Sequence, residues 1–432
     1  MSASNEQIRP ASWPAAARLL ARWLDQHERI DALLDSLPAN LNGAERARCQ
    51  HLVLGVVRHY GRIESALAQL VAHPPRFSTR AILFIAGFEL MEASDRPADE
   101  GRVAKIVHHA VEQTKALASP AEARLVNAVV RKLAPLLMSA PPPAATSDAA
   151  TLAAFFSHPE WLVRTWLAQF GEAGTRALLE WNQQPAPVYA RWRGEGTPPD
   201  FFVPSRWPAF FEVKSGHWGQ VEPLLKSGQI YLQDPGTRLA VELLAPLAGE
   251  TVLDICAAPG GKSLLIADTM KTGKVVALDL PGQRIERLKE NLSRAGAVDV
   301  ALVQADLLEN IVPVLGENQQ PESYSAVLLD VPCSNTGVMR HRVDVKWRLQ
   351  PGDLKKHPRQ QLALLHAAAR LVAPGGRLVY STCSVDAEEN EQVVTAFFNS
   401  RAGSSFKRDG SVVSLPWQTG HDGAAAFLLR RT

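Results

Sequence analysis

Two thiols stand where apolar runs of this chain end. Leu378-Val-Tyr-Ser-Thr-Cys-Ser384 is a β-prone stretch closing on Cys383, and Asp330-Val-Pro-Cys-Ser334 places Cys333 just behind another such stretch. A thiolate is a strong nucleophile. Both thiols lie downstream of a Gly-rich turn. The pattern predicts covalent chemistry at the mouth of an α/β sheet, hence an enzyme.

The Gly-rich turn suggests what else binds there. Thr251-Val-Leu-Asp-Ile-Cys-Ala-Ala-Pro-Gly-Gly-Lys-Ser263 reads as a strand, a turn of small residues and a helix start. In Cys256, Ala257, Ala258, Pro259, Gly260, Gly261 and Lys262, the two glycines let a ligand approach the backbone. The helix start offers free N–H groups to an anionic group. The next strand ends at Asp279, where a carboxylate can take both ribose hydroxyls. The third leads to Asp306, placed to reach an adenine edge. A phosphate-binding loop needs Gly where Cys256 stands, and a dinucleotide turn needs Gly-x-Gly-x-x-Gly. With those glycines missing, S-adenosylmethionine is the better ligand. Taken singly, each residue could equally pack a helix on a sheet; three consecutive strand ends together read as a nucleoside cradle.

The elements that must position these groups alternate. Strands are expected at Thr251–Ile255, Lys274–Asp279, Val300–Gln304, Ser325–Asp330 and Gly376–Ser381. Helices are expected at Lys262–Met270, Gln283–Ala295, Pro358–Leu371 and Glu388–Asn399. Such alternation predicts a parallel, doubly wound sheet. Upstream, residues 1–138 read as helices with apolar residues at helical spacing, a bundle with its own core. The Pro/Ala-rich stretch 139–151 reads as a linker. Residues 152–235 read as a connecting α+β region with a small sheet near Val188–Arg193, and 236–432 as the catalytic domain.

Composition narrows the classes. The chain has 432 residues, 46% hydrophobic and 21% charged, with a net charge of +2, as in an ordinary globular protein of several domains. Its four cysteines, Cys49, Cys256, Cys333 and Cys383, form no Cys-x-x-Cys pair, so no metal site is expected. Cys49, on a helical stretch, reads as a buried filler. Met1–Arg9 lacks a signal-peptide pattern, and the longest apolar run, near Ala81–Phe88, is too short to span a membrane, so a cytoplasmic protein is expected. Between Arg340 and Arg359 seven basic residues face two acidic ones. In that run Arg340, Lys346, Trp347 and Arg348 can steer a polyanion, with the indole free to stack on a base, or can belong to a solvated loop that Trp347 packs.

Four ordered motifs carry a family resemblance. They are Asp254-Ile-Cys-Ala-Ala-Pro-Gly-Gly-Lys262, Asp330-Val-Pro-Cys-Ser-Asn-Thr-Gly337, Asp344-Val-Lys-Trp347, and Tyr380-Ser-Thr-Cys-Ser384 followed by Glu388-Glu-Asn390. They resemble the Sun/Fmu family of RNA cytosine-5 methyltransferases, above all its bacterial members that modify small-subunit (16S) ribosomal RNA. The likeness covers nearly the whole chain. Residues 10–137 resemble the helical RNA-binding domain shared with the antitermination factor NusB, and His158-Pro-Glu-Trp-Leu162 with Gln233-Asp-Pro235 resemble the connecting region.

The resemblance implies a Rossmann-like S-adenosylmethionine-dependent methyltransferase sheet preceded by an all-α domain, in a monomer with RNA as partner. It implies that Cys383 is the nucleophile, that Cys333 serves product release, and that Asp330 binds the cytosine. It assigns Cys256 to Lys262, Asp279, Asp306 and Asp330 to the cofactor and target-base site. DNA cytosine methyltransferases use a Pro-Cys thiol instead, which would nominate Cys333. Arg340-His-Arg-Val-Asp departs from the family's usual Arg-Arg-x-Pro-Asp, Val331 replaces a frequent Ala, and His421-Asp-Gly-Ala-Ala-Ala-Phe427 is looser than the usual last strand. The same reaction on transfer RNA, or a non-catalytic RNA-binding or ribosome assembly factor, are the rival readings. Loss of either thiol would favour the second, and both are present.

Overall fold

The computed structural model describes residues 11–94, 101–139, 141–144, 146–294 and 299–432. The opening Met1–Arg9, part of the expected linker and the expected helix end at Ala295 lie outside them. Two compact units form: Met1–Gln184 with Met339–Leu349, and Pro185–Val338 with Gln350–Thr432. The sequence reading instead broke the chain at 138 and 235. Residues 149–183 are helical and pack with the helices before them, which moves that boundary.

The first unit holds α1 (Ser12–Gln26), α2 (Ile30–Asp35), α3 (Gly43–Ala68), α4 (Phe77–Ser94), α5 (Arg102–Leu117), α6 (Pro120–Met138), α7 (Ala149–Phe156) and α8 (Glu160–Gln183). Local signals set the starts. Asn42 accepts the Glu45 N–H while Glu45 reaches back to Asn42, a capping box that begins α3. Ser119 accepts from Glu122, and Pro120 follows in the first turn of α6. α4 is apolar nearly all round and buries twelve of its eighteen residues, so it forms the centre of the bundle. Phe88 on α4 seats its ring against Gly55 of α3, where a Cβ would come within 2.1 Å of it.

Met339–Leu349 completes this unit, which corrects the expected RNA contacts. Lys346 is only 1% exposed, and its ammonium donates to the Arg58 carbonyl at 2.9 Å. The Trp347 indole N–H donates to the Val57 carbonyl at 2.8 Å, its ring lies against Gly61, and Tyr60 meets it edge-on. Asp344 accepts the Ile30 N–H at the start of α2 and pairs with Arg348 at 2.8 Å. The Arg340 guanidinium lies 4.3 Å from the Trp181 ring centroid. Packing therefore occupies Lys346 and Trp347 and engages Arg340, while Arg348 alone of the four is well exposed.

Burial, then Arg58, pushes the Lys346 ammonium well below the usual lysine range. The carbonyl it contacts is within α3 and has a helical partner of its own. Lys346→Met is therefore expected to change stability by less than about 1 kcal/mol and to leave RNA affinity unaltered. Thermal melts and filter binding check this; a loss of RNA affinity with unchanged melting would restore the RNA role.

The second unit has two sheets. β1 (Tyr189–Trp192), β2 (Phe202–Pro204), β3 (Phe210–Val213) and β4 (Ile230–Leu232) form a small antiparallel sheet in the order β2-β3-β1-β4. β5 (Thr251–Ile255), β6 (Lys274–Asp279), β7 (Asp299–Gln304), β8 (Tyr324–Asp330), β9 (Val372–Thr382), β10 (Phe406–Ser414) and β11 (Ala424–Arg431) form a seven-stranded sheet ordered β10-β11-β9-β8-β5-β6-β7. β5 to β9 are mutually parallel, with apolar runs buried on both faces. β11 pairs antiparallel with both neighbours, so the sheet is mixed rather than all parallel as expected. The strand order turns back between β5 and β8. That topological switch opens a crevice at the carboxyl ends of the strands, where ligands bind in such sheets. Among the described residues no helix is long and apolar enough to cross a membrane.

Candidate active site

The turn after β5 bends because Cys256 sits at φ 60° and Gly260 at φ 102°. Asp279, at the end of β6, braces that turn. Its Oδ2 accepts the Ala258 N–H at 2.8 Å and its Oδ1 accepts the Leu280 N–H at 2.8 Å. Gly261 opens the next helix under the Tyr231 ring, where a Cβ would come within 3.0 Å. A cavity of about 230 Å³ results. Cys256, Ala257, Ala258, Pro259, Gly261, Lys262 and Asp330 line it, whereas Gly260, Asp279 and Asp306 do not. Asp306 instead accepts the Leu308 N–H just past β7.

Sequence reasoning missed part of the wall. Tyr231, Gln233, Asp234 and Thr237 close the cavity from the β4 side, and Asp254 lies at its floor. The Gln233-Asp-Pro235 motif was the signal, but nothing in its spacing says that it faces the turn after β5. Asp254 is fully buried; Ser263 donates to its Oδ2, while its Oδ1 has no partner. Burial pushes its carboxyl up to about 7, with the charge of Asp330 adding to the rise and the Ser263 bond opposing it.

β8 and β9 deliver the reactive groups side by side, with Asp330 opposite Ser381 in register. Asp330 accepts the Lys262 ammonium at 2.6 Å and the Ser381 hydroxyl at 2.7 Å. Burial opposes the Lys262 charge, but the Asp330 carboxylate and its hydrogen bond, with Cys383 behind them, raise its pKa. Lys262 also lines a smaller cavity of about 50 Å³ with Ser381, Thr382 and Cys383, so the two cavities share one ammonium.

The two sulfurs are 3.2 Å apart. Asn335, at φ 63°, faces the Cys383 sulfur through Oδ1 at 3.3 Å and donates to the Cys333 carbonyl at 2.8 Å. The Cys383 contact, then burial and the charges of Cys383 and Glu389, hold the Cys333 thiol well above the usual range. Cys256 is held up by burial first and then by Asp279 and Asp330, so it is an inert part of the turn. Cys49 is fully buried, and burial lifts it to about 11.

A buried polar knot sets the spacing of the two sulfurs. Glu389, with no exposed surface, accepts the Ser334 N–H at 2.9 Å, the Ser384 hydroxyl at 2.9 Å and the Gln361 amide at 2.7 Å. Ser334 and Ser384 are the residues immediately after the two cysteines. Asp386 accepts the Thr336 hydroxyl at 2.7 Å, and Asn390 bonds both Thr382 and the Ser384 carbonyl. Gly337 packs on the Cys383 carbonyl, where a Cβ would approach to 2.7 Å. Every group facing the Glu389 carboxylate is a donor, and a glutamine amide would turn its own N–H toward them. Glu389→Gln is expected to cost about 3 kcal/mol and to lower turnover with cofactor affinity retained. Thermal melts and single-turnover rates test it; an unchanged melt and rate would refute the clamp.

Known proteins share this sequence and fold. Residues 241–415 match the family described as 16S rRNA methyltransferase RsmB/F, and residues 12–135 match the NusB family. The chain is 30% identical over 437 residues to ribosomal RNA small subunit methyltransferase B of Sodalis glossinidius, covering 94% of this chain and 95% of that one. It is 29% identical over 420 residues to the probable ribosomal RNA small subunit methyltransferase B of Bacillus subtilis, covering 90% and 92%. The crystal structure of PH0851 shares the fold with a TM-score of 0.76 at 22% identity, over 98% of this chain and 99% of that one. With a cavity of about 230 Å³ at the switch point, two thiols in contact nearby and relatives aligned end to end, the chain belongs to the RsmB/F family of 16S rRNA methyltransferases.

Proposed function

We propose that this enzyme transfers a methyl group from S-adenosylmethionine to carbon 5 of a cytidine in small-subunit ribosomal RNA, acting as a monomer through a covalent cysteine adduct. The observation that carries this reading is the contact of the Cys383 and Cys333 sulfurs at 3.2 Å, with Asp330 and Lys262 beside them. Carbon 5 of cytosine is too weak a nucleophile by itself. Cys383 adds to carbon 6, which turns carbon 5 into an enamine carbon able to attack an electrophilic methyl group. Asp330, held in place by Lys262 and Ser381, binds the ring nitrogen 3 and exocyclic amine and supports the developing charge. After transfer, a base at or beside Cys333 takes the carbon-5 proton, and the electron pair left behind expels Cys383 and restores the ring. Cys333 stands next to the leaving sulfur and assists that release.

Residues around the larger cavity fit the cofactor. S-adenosylmethionine, when bound, supplies a methyl group on a sulfonium centre. The orphaned Asp254 Oδ1 would accept from its ammonium group and the Cys256–Lys262 turn would cradle the rest, with Asp279 bracing that turn from behind.

A pH dependence follows. A bound ammonium favours ionised Asp254, whose carboxyl titrates at about 7 in the free protein. Binding then releases a proton below that value, so affinity is expected to climb up to about tenfold per unit from pH 5 to pH 7 and to level off above. Calorimetric titrations across that range test it, with Asp254→Asn expected to be weaker and flat. A wild-type protein as flat as the variant would remove the ammonium contact.

The reaction itself is tested with labelled S-adenosylmethionine and ribosomal RNA from a strain lacking this gene, mapping the label to a nucleotide. One labelled small-subunit cytidine is expected. Label only in transfer RNA would replace the substrate, and none in any RNA would overturn the reading.

A further inference from the structure

The wall of the smaller cavity carries a second feature that the catalytic residues do not use. Asp422, Gly423 and Ala424 line the cavity opposite Cys383. This loop is held from beneath, because the Asp422 N–H donates to Asp234 Oδ1 at 3.1 Å. On its outer side rests the turn joining β2 to β3, Ser205–Ala209. The Trp207 ring meets His421 at 5.3 Å between centroids and Tyr189 at 5.7 Å, both edge-on. The Arg206 guanidinium lies 4.8 Å from the Trp207 centroid, and its Nη2 sits beside Gly420, where a Cβ would come within 2.9 Å.

The turn is built to hold that arginine still. Prolines flank it at 204 and 208. The Ser205 hydroxyl accepts the Trp207 N–H at 3.1 Å and donates to the Phe210 carbonyl at 2.6 Å, and Ala209 takes φ 64°. Arg206 is exposed, and among the described residues no carboxylate pairs with it. Elsewhere in this unit Arg191 and Arg193 are engaged with Asp268. An unpaired guanidinium stacked over Trp207 and set beside Gly420, two residues before the cavity wall at Asp422, has an obvious complement in a phosphate. Its planar fork presents two parallel N–H donors, and stacking has already removed much of its rotamer freedom.

We propose that Arg206, stacked on Trp207, binds a backbone phosphate of the substrate RNA next to the target cytidine, and so fixes the strand that delivers the base to Cys383. This rests on the RNA substrate proposed above. It makes the β2–β3 turn a substrate-positioning element, acting through a phosphate and independent of base identity.

The test uses the full-length enzyme and a small-subunit ribosomal RNA transcript. Arg206→Ala is expected to raise KM for RNA about tenfold, with kcat and S-adenosylmethionine affinity changed less than about twofold. The slope of log affinity against log salt should become shallower by about one unit, the signature of one lost phosphate contact. Arg206→Lys should restore the slope but only part of KM, since a lysine keeps the charge and loses the fork. Trp207→Phe should stay near wild type, which separates the platform from general damage to the turn. Filter binding to the same transcript reads the contact without catalysis. If wild type binds RNA but transfers no methyl group, the reaction reading fails, and an Arg206-dependent salt slope still upholds the contact. Unchanged KM, binding and slope in Arg206→Ala would overturn it, as would a wild type that binds no RNA.

Discussion

Cys383→Ala is expected to lower methyl transfer by at least about 10⁴-fold, because removing the nucleophile removes the whole covalent route rather than one contact. Carbon 5 then has no enamine character, and neither the position of the base nor the cofactor can supply it. Cys383 lines the smaller cavity and is absent from the wall of the larger one. S-adenosylmethionine affinity should therefore move by less than about twofold, since no contact with the cofactor is lost. Two measurements carry the result: single-turnover transfer of labelled methyl to ribosomal RNA, and calorimetric binding of the cofactor. Retained transfer in Cys383→Ala, with transfer lost in Cys333→Ala, would exchange the roles of the thiols. The geometry argues against that exchange, because Cys383 lines the smaller cavity and Cys333 does not.

Cys333→Ala should behave differently although its sulfur is only 3.2 Å from that of Cys383. Addition of Cys383 to carbon 6 does not need Cys333, so the adduct forms and the methyl group is transferred. In the proposed mechanism release does need it, so the methylated RNA should stay on the enzyme. A slow covalent protein–RNA band is expected on denaturing gels, and steady-state turnover should fall by roughly 10²-fold or more. The double variant lacking both thiols should show no band, since nothing can then attack. An active Cys333→Ala enzyme with no band would rule out the release role. Glu389 gives an independent control. It clamps the residues after both cysteines, so its variant should slow addition and release together.

Much of the catalytic sheet was legible in the residues. β5 and β6 fall where the apolar runs Thr251–Ile255 and Lys274–Asp279 end on acidic or small residues, because a strand buried on both faces must be apolar along its length. The bundle helices were equally visible through their helical spacing. β10 was not foreseen. Phe406-Lys-Arg-Asp-Gly-Ser-Val-Val-Ser414 is mostly exposed at the sheet edge, and only its pairing with β11 makes it a strand. The Arg340–Arg348 segment misled for a related reason. A basic stretch reads as solvated and RNA-facing, since lysine is rarely buried, yet Lys346 and Trp347 are packed against α3.

The sequence alone determined the chemistry available: two thiols, a carboxylate and a Gly-rich turn, each at the end of a strand in a fixed order. Those are properties of residue type and periodicity, which a linear chain carries openly. Only the tertiary structure decided what meets what. It set the sulfurs in contact through Glu389 and left one oxygen of Asp254 unsatisfied in the cofactor cavity. It moved Asp279 behind the turn as a brace and brought Arg206, more than a hundred residues upstream in sequence, beside Gly420. The physical reason is that these relations arise from packing and buried hydrogen bonding between elements distant in the chain, which no local pattern of residues records.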